Sequence, residues 1–308
     1  MKMFVNARFL DGLWTPWKLC RGAMKGHLSL PTLPLAVLLA GSLVLASCKS
    51  TSGPAYSREN PAGDKTTASD RGMAVLWFQR AAEARALYFQ AYNIARERLD
   101  AALARRQGEE KLAVIMDIDE TILDNSSFEA DLIKTGKTFS EKSWKEWVSQ
   151  RQARALPGAQ PFLAYAASNK VEVFYVSNRS ATDFDDTARN LQAQHFPMVD
   201  AEHLLLQQAH EGKEPRRQEL GRKYNIVLLM GDNLGDFTDL FDKQNSDVRS
   251  GLADENREKF GRLFIVLPNP MYGTWEDCLY PASVQTDQQK SSLRQELLKS
   301  WRGTAPGF

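Results

Sequence analysis

One stretch constrains this chain more than any other: a short apolar run that ends abruptly in acids. Leu112 to Asn125 reads L-A-V-I-M-D-I-D-E-T-I-L-D-N. The continuous apolar part, Leu112 to Met116, suits a strand buried on both faces of a parallel sheet. In open α/β sheets ligands sit beyond the carboxyl ends of the strands, where this run delivers Asp117, Asp119 and Glu120. Asp117 and Asp119 lie two apart, so in extended backbone they project to the same side. Carboxylates held together repel, and one stays protonated unless a cation neutralises the pair. Such a pair suits a site in which one carboxylate attacks, its neighbour handles a proton and a hard metal ion lies between them. An acidic turn after a strand explains D-x-D equally well on its own, so the rest of the chain has to decide.

The rest of the chain supplies a matching frame. Further β-rich apolar runs occur at Val171 to Val176, Ile226 to Met230 and Leu263 to Leu267, with a weaker one at His203 to Leu206. Helix-compatible segments separate them at Ala181 to Gln194, Pro215 to Lys223 and Asp254 to Phe260. Strands alternating with helices predict an α/β fold, a parallel sheet with helices on both faces. Met73 to Arg106 holds neither Pro nor Gly and predicts one or two long helices, whose aromatic residues are packing, ahead of a stop at Gly108. Between Asp124 and Pro157 lies an insertion too long for a simple crossover, about residues 124–157. Within it Ser140 can cap a helix bearing Trp144, Trp147 and Val148, which predicts a small helical cap over the acids. The tail beyond Tyr280 is polar, with one short helical pattern around Leu293 to Trp301, and no internal repeat is present.

The front end is of another kind. Leu28 to Ser47 is nearly free of polar side chains and follows Lys18, Arg21 and Lys25, the layout of a secretory signal over residues 1–47. It ends in Leu45-Ala46-Ser47-Cys48, which resembles the bacterial lipobox and implies cleavage before Cys48 and lipid attachment to it. Met24 as the start gives a signal of ordinary length; an uncleaved membrane anchor is the competing reading. Residues 48–70, rich in Ser, Thr, Gly, Pro and Lys, read as a flexible tether to a domain over 71–308. Lys49 rather than Asp after the cysteine implies, by the same resemblance, an outer-membrane lipoprotein with its domain outside the cytoplasm. The segment 1–47 carries five basic residues against Asp11, a net of +4 in a chain of net +1, which leaves −3 beyond it. That balance excludes an electrostatic footprint for nucleic acid. Of three cysteines, only Cys278 remains unassigned, so the exported part has no internal disulfide.

Polar residues follow the later runs at the same sheet edge. The run at 171–176 opens into Ser177-Asn178-Arg179, and that at 226–230 into Gly231-Asp232-Asn233-Leu234-Gly235-Asp236. Lys213 precedes a helix that Pro215 can start. Each is weak alone, but D-I-D-E-T, V-S-N-R, the lysine and G-D-N-L-G-D-F in this order resemble the four motifs of the haloacid dehalogenase superfamily of phosphohydrolases. Behind a lipobox, they are more closely similar to the bacterial class C acid phosphatases, the lipoprotein e family. The likeness runs from about residue 71 to Trp275 and takes in S-W-K-E-W-V, A-L-P-G-A and L-P-N-P-M-Y-G-T-W.

The resemblance implies a role for each matching residue. Asp117 would be the nucleophile that forms an aspartyl-phosphate, and Asp119 the acid and then base that serves the leaving oxygen and the water. Asp117, Asp232 and the backbone carbonyl of Asp119 would hold Mg2+, with Asp236 supporting that shell or Lys213. Ser177 would hydrogen-bond a phosphoryl oxygen, Asn178 would contact the substrate, and Lys213 would offset the phosphoryl charge. Trp144 and Tyr272 would sandwich a nucleobase, although Trp144, with Trp147 and Val148 three and four residues on, also fits a buried stripe; Trp147 reads as core. One departure stands out: Glu211 occupies a position, two before the lysine, where the family often has Ser. Lys213 is therefore placed by its spacing to G-D-N, with Arg216 as a matching basic residue and Lys223 and Lys170 as substitutes. The reading is a Mg2+-dependent phosphomonoesterase acting on nucleotides and other small monoesters. A phosphotransferase on the same scaffold and a non-catalytic binding lipoprotein are the alternatives, and a homodimer is left open.

Overall fold

The computed structural model describes residues 70–208 and 211–301. The signal segment 1–47, Cys48 and residues 48–69 of the tether lie outside them. Five parallel strands form one sheet in the order β5-β4-β1-β6-β7. Its centre is β1 (Leu112–Met116), hydrogen-bonded to β4 (Glu172–Ser180) on one side and β6 (Asn225–Gly231) on the other. The outer strands are β5 (Leu204–Gln207) and β7 (Phe264–Val266).

All five residues of β1 are buried, and the strand's twofold alternation divides them between two cores. Leu112, Val114 and Met116 pack with Tyr88, Leu99 and Leu163 on one face. Ala113 and Ile115 pack with Phe174, Leu220, Phe237 and Phe264 on the other. Burying each large apolar side chain contributes roughly 1.5–3 kcal/mol, so a polar residue on either face of β1 would be costly. That is why the run reads as unbroken apolar sequence rather than as an alternating pattern.

The helical segment ahead of the sheet is two helices, α1 (Gly72–Arg80) and α2 (Ala82–Leu103), broken where Ala81 is extended (φ −73°, ψ 129°). After β1 the chain forms a small antiparallel pair, β2 (Leu123–Asp124) with β3 (Arg154–Ala155). Between those two strands stand α3 (Ser126–Thr135) and α4 (Glu141–Gln150). The helix from Ser140 is present, closed by a capping box in which Ser140 accepts from the Ser143 N–H. The sequence pattern did not disclose α3. The crossovers are α5 (Ala159–Ser168), α6 (Phe184–Ala193), α7 (Glu214–Lys223) and α8 (Ser246–Glu255). α8 starts earlier than the expected segment at 254–260, because Asn245 caps it by accepting from the Val248 N–H. A short α9 (Thr274–Asp277) and the tail helix α10 (Asp287–Leu297), capped by Thr286, complete the fold.

Gly158, which leads into α5, has φ +88°, and a Cβ there would lie 2.9 Å from Cδ2 of Tyr92 on α2. The glycine thus lets α2 press against the turn entering α5, directly behind the acidic loop. Among the described residues no helix is long and apolar enough to cross a membrane.

Candidate active site

Asp117 follows the last residue of β1, and its N–H donates to the Met230 carbonyl of β6, so the sheet itself fixes its backbone. The chain then turns sharply: the carbonyl of Ile118 accepts from the N–H groups of Ile122 and Leu123, and Glu120 takes a left-handed φ of +53°. Two tyrosines of α2 hold this turn from behind. The Tyr88 hydroxyl donates to the carbonyl of Glu120, and that of Tyr92 donates to the carbonyl of Thr121 at 2.7 Å. The Glu120 side chain is fully buried and accepts from the Asn125 N–H at 2.7 Å. Burial, then the charges of Asp119 and Asp232, hold the Glu120 carboxyl well above its usual range.

Lys213 stands immediately before α7, and its ammonium donates to Oδ1 of Asp117 and, at 2.6 Å, to Oδ1 of Asp236. All three side chains are more than nine-tenths buried. Lys223 instead pairs with Glu219 on the exposed face of α7, and Lys170 occupies a turn at φ +58°, so neither competes for the position. Asp236 is engaged through both oxygens, because Oδ2 accepts from the Asn233 N–H at 2.9 Å. Asp232 is anchored by Oδ2, which accepts from the side-chain amides of Asn233 and Asn269, each at 2.8 Å. Its Oδ1 accepts nothing from the described residues. Arg217 secures the loop by donating to the carbonyls of Gly235 and Asp236.

Oxygen atoms of Asp117, Asp232 and Asp236 lie within 4.8 Å of one another, and one ammonium faces the three carboxylates. Burial pushes the Asp117 carboxyl up to about 7, opposed by the Lys213 ammonium and reinforced by Asp236 and Asp119. Burial, with Asp236 and Asp117, raises Asp232 well above its usual range. The Lys213 ammonium is held charged by the same two carboxylates that offset its own burial. A purely oxygen donor set with uncompensated negative charge fits a hard divalent cation, whose charge is what the cluster lacks.

Asp119 is held apart from this cluster. Arg179 donates to it from Nε (3.0 Å to Oδ1) and from Nη2 (2.8 Å to Oδ1), and Asn125 Nδ2 adds a bond at 2.8 Å. Asp117, Asp119, Lys213, Asp232 and Asp236 all line one cavity of about 1060 Å³. Trp144 and Tyr272 also line it, as does Asn178. Trp144 meets Phe128 edge-on, with ring centroids 5.3 Å apart, while Trp147 packs on the core and donates from Nε1 to Asn125 at 2.8 Å. Ser177 is not part of the cavity wall. It is 1% exposed, and its Oγ accepts from the Arg179 N–H at 3.1 Å. Arg216 donates at 2.7 Å to the Ser177 carbonyl, which ties the end of β4 to α7.

The family model described as the HAD superfamily, subfamily IIIB (acid phosphatase), matches residues 48–275. The chain belongs to that family. Among solved structures it is similar to the class C acid phosphatase from Bacillus anthracis, with 42% sequence identity and a TM-score of 0.73 over 76% of this chain and 99% of that one. The same enzyme with tungstate bound matches at 42% identity and a TM-score of 0.72, over 77% of this chain and 99% of that one. This acid phosphatase is therefore a hydrolase of phosphate monoesters on a haloacid dehalogenase-like fold, and phosphatases of that superfamily generally use a divalent metal.

The sequence assigns no role at the site to Arg179 of V-S-N-R, to Asn125 or to Arg217, and only packing to Tyr88 and Tyr92. The only local signal was a basic residue at a strand end beside acids: the contacts of Arg179 with Asp119, of Arg217 with the Gly235 loop and of the two tyrosines with the turn cross long sequence separations, and those of Asn125 span five and six residues with no helical or strand periodicity. Burial and mutual repulsion favour the protonated forms in this cluster, with the Asp117 carboxyl pushed up to about 7 and that of Asp232 raised well above its usual range. An incoming cation must displace protons from the cluster, so affinity should weaken as pH falls through about 7 and binding near neutral pH should release protons. Titration calorimetry with Mn2+ in buffers of different ionisation heat reads this directly; binding without proton release contradicts it.

Proposed function

We propose that this phosphatase is a Mg2+-dependent phosphomonoesterase that hydrolyses 5′-nucleotides and other small monoesters through an aspartyl-phosphate on Asp117. The observation that carries the reading is the pairing of Lys213 with both Asp117 and Asp236 beside Asp232, while Asp119 faces the same cavity on separate partners. A carboxylate oxygen of Asp117 attacks phosphorus, and the ester P–O bond breaks. The electron pair passes to the leaving oxygen, which takes a proton from Asp119. Asp119, now a carboxylate, takes a proton from the water that attacks the phosphorus of the intermediate; the P–O bond to Asp117 breaks, its electron pair returns to the Asp117 carboxylate, and inorganic phosphate leaves. Lys213 offsets the charge that spreads over the phosphoryl oxygens. Asp117, Asp232 and the Asp119 carbonyl are the proposed holders of Mg2+, which supplies electrostatic stabilisation of those oxygens when bound. Asp236, with both oxygens occupied, acts through Lys213 and the Asp232 loop. Asn178, on the cavity wall, is the better placed of the two strand-end residues for substrate; the buried Ser177 instead fixes the backbone of Arg179.

Two aromatic side chains from separate stretches of the chain line the cavity, Trp144 of α4 and Tyr272 beyond β7, and support a flat substrate moiety, hence a nucleobase. The tungstate-bound relative holds a tetrahedral oxyanion, the shape class of a phosphoryl group. The family match begins at Cys48, the residue a lipobox cleavage would expose, which supports export and lipid anchoring at the outer membrane. Charged nucleotides cross membranes poorly, so dephosphorylation outside the cytoplasm would yield nucleosides fit for uptake.

Asp117→Asn should abolish phosphate release from AMP, and chelation should abolish it in the unaltered enzyme until Mg2+ is returned; release at the unaltered rate in either case contradicts the mechanism. Trp144→Ala and Tyr272→Ala should each lower kcat/KM for AMP by about 10-fold, the worth of one stacked ring, and leave glycerol phosphate nearly unaffected. Equal losses on both substrates contradict the clamp.

A further inference from the structure

The most heavily bonded side chain in the cavity wall belongs to a residue with no part in the chemistry described so far. Arg179 is 3% exposed, yet its guanidinium is satisfied on three sides. Nε and Nη2 both face Asp119, Nη1 donates to Thr187 Oγ1 of α6 at 3.2 Å, and Nη2 also reaches Asn125 Oδ1 at 3.4 Å. The Trp144 ring lies against it, with the guanidinium carbon 5.5 Å from the ring centroid. Asn125 closes the circuit, since it donates to Asp119 and accepts from Trp147 Nε1. Asp119 thus has its position set from β4, from α6 behind β4, and from α4 over the cavity.

The geometry points to Arg179 as a positioning residue for proton transfer: it holds the Asp119 carboxyl beside the leaving oxygen and ties that position to the tryptophans of α4. The inference rests on the reading of Asp119 as proton donor. A planar guanidinium can present two N–H groups to one carboxyl while a third is fixed by Thr187, and an ammonium cannot reproduce that fork. Asp117 and Lys213 make no hydrogen bond to any of these side chains, so the contact between the attacking carboxylate and its ammonium does not depend on Arg179. What suffers is delivery of the proton as the P–O bond breaks. That loss is severe when the departing oxygen is a basic alkoxide and slight when it is a stable nitrophenolate.

The experiment is kcat/KM of the full-length enzyme with Mg2+ for two esters, glycerol phosphate and para-nitrophenyl phosphate. Arg179→Lys and Arg179→Gln should each lose about 100-fold on glycerol phosphate, the scale of a general-acid contribution, and only a few-fold on the nitrophenyl ester. Thr187→Val, outside the cavity and close in size, should give the same selective pattern at smaller amplitude and serves if the arginine variants do not fold. Asp119→Asn measured alongside separates the two levels of the argument. If Asp119→Asn itself shows no leaving-group selectivity, the acid assignment falls. If it does, while the Arg179 and Thr187 variants lose activity equally on both esters or not at all, the positioning role is overturned.

Discussion

Three carboxylates share a buried pocket with one ammonium, and the rest of the molecule is arranged to make that tolerable. Removing Asp117, Asp232 and Asp236 from water raises the cost of their charge, and Lys213 answers only two of them directly. The remainder is handled by dipoles: the N–H of Asn233 and the amides of Asn233 and Asn269 face carboxylate oxygens. Taking one partner from such a buried pair typically costs about 3–5 kcal/mol, because the other charge is left without compensation. The site therefore stores a demand for positive charge, which a bound divalent cation would meet.

The same frame keeps two aspartates, two residues apart in sequence, in different surroundings. Asp117 is sealed in the cluster, with its backbone pinned to β6. Asp119 lies inside the turn, just before Glu120, 19% exposed at its side chain, with Arg179 and Asn125 for company. Glu120 at positive φ produces the change of direction, and the tyrosine hydroxyls of α2 hold it. Gly158 lets α2 come close enough to do so. The helices ahead of the sheet are thus part of how the acids are aimed, although none of their side chains enters the chemistry.

Much of this was legible in the sequence where a physical constraint acts over short range. β1 announced itself because a strand buried on both faces tolerates no polar residue, and four flanking strands fell within a few residues of their apolar runs. Lys213 could be placed by its spacing to G-D-N because a crossover of fixed length returns the chain to the same sheet edge. Other features left no local trace. Ala81 interrupts two helices without Pro or Gly, so propensity gave no warning, and α3 carries a weak pattern because its buried face mixes Phe128 and Leu132 with Glu129. Arg179 reaches Asp119 across sixty positions in the chain, and no periodicity encodes such a contact. The serine that a motif reading directs at the substrate is instead turned onto the backbone of Arg179, a matter of rotamer and burial that sequence does not specify.

A crystal structure grown with Mn2+ and an unreactive phosphate analogue tests the central claim most directly. Anomalous scattering should place a single ion bonded to the carboxylates of Asp117 and Asp232, with Lys213 still on Asp117 and Asp236 and the analogue within reach of Asp119. An ion bound elsewhere, or Lys213 displaced from Asp117 by its arrival, would contradict it.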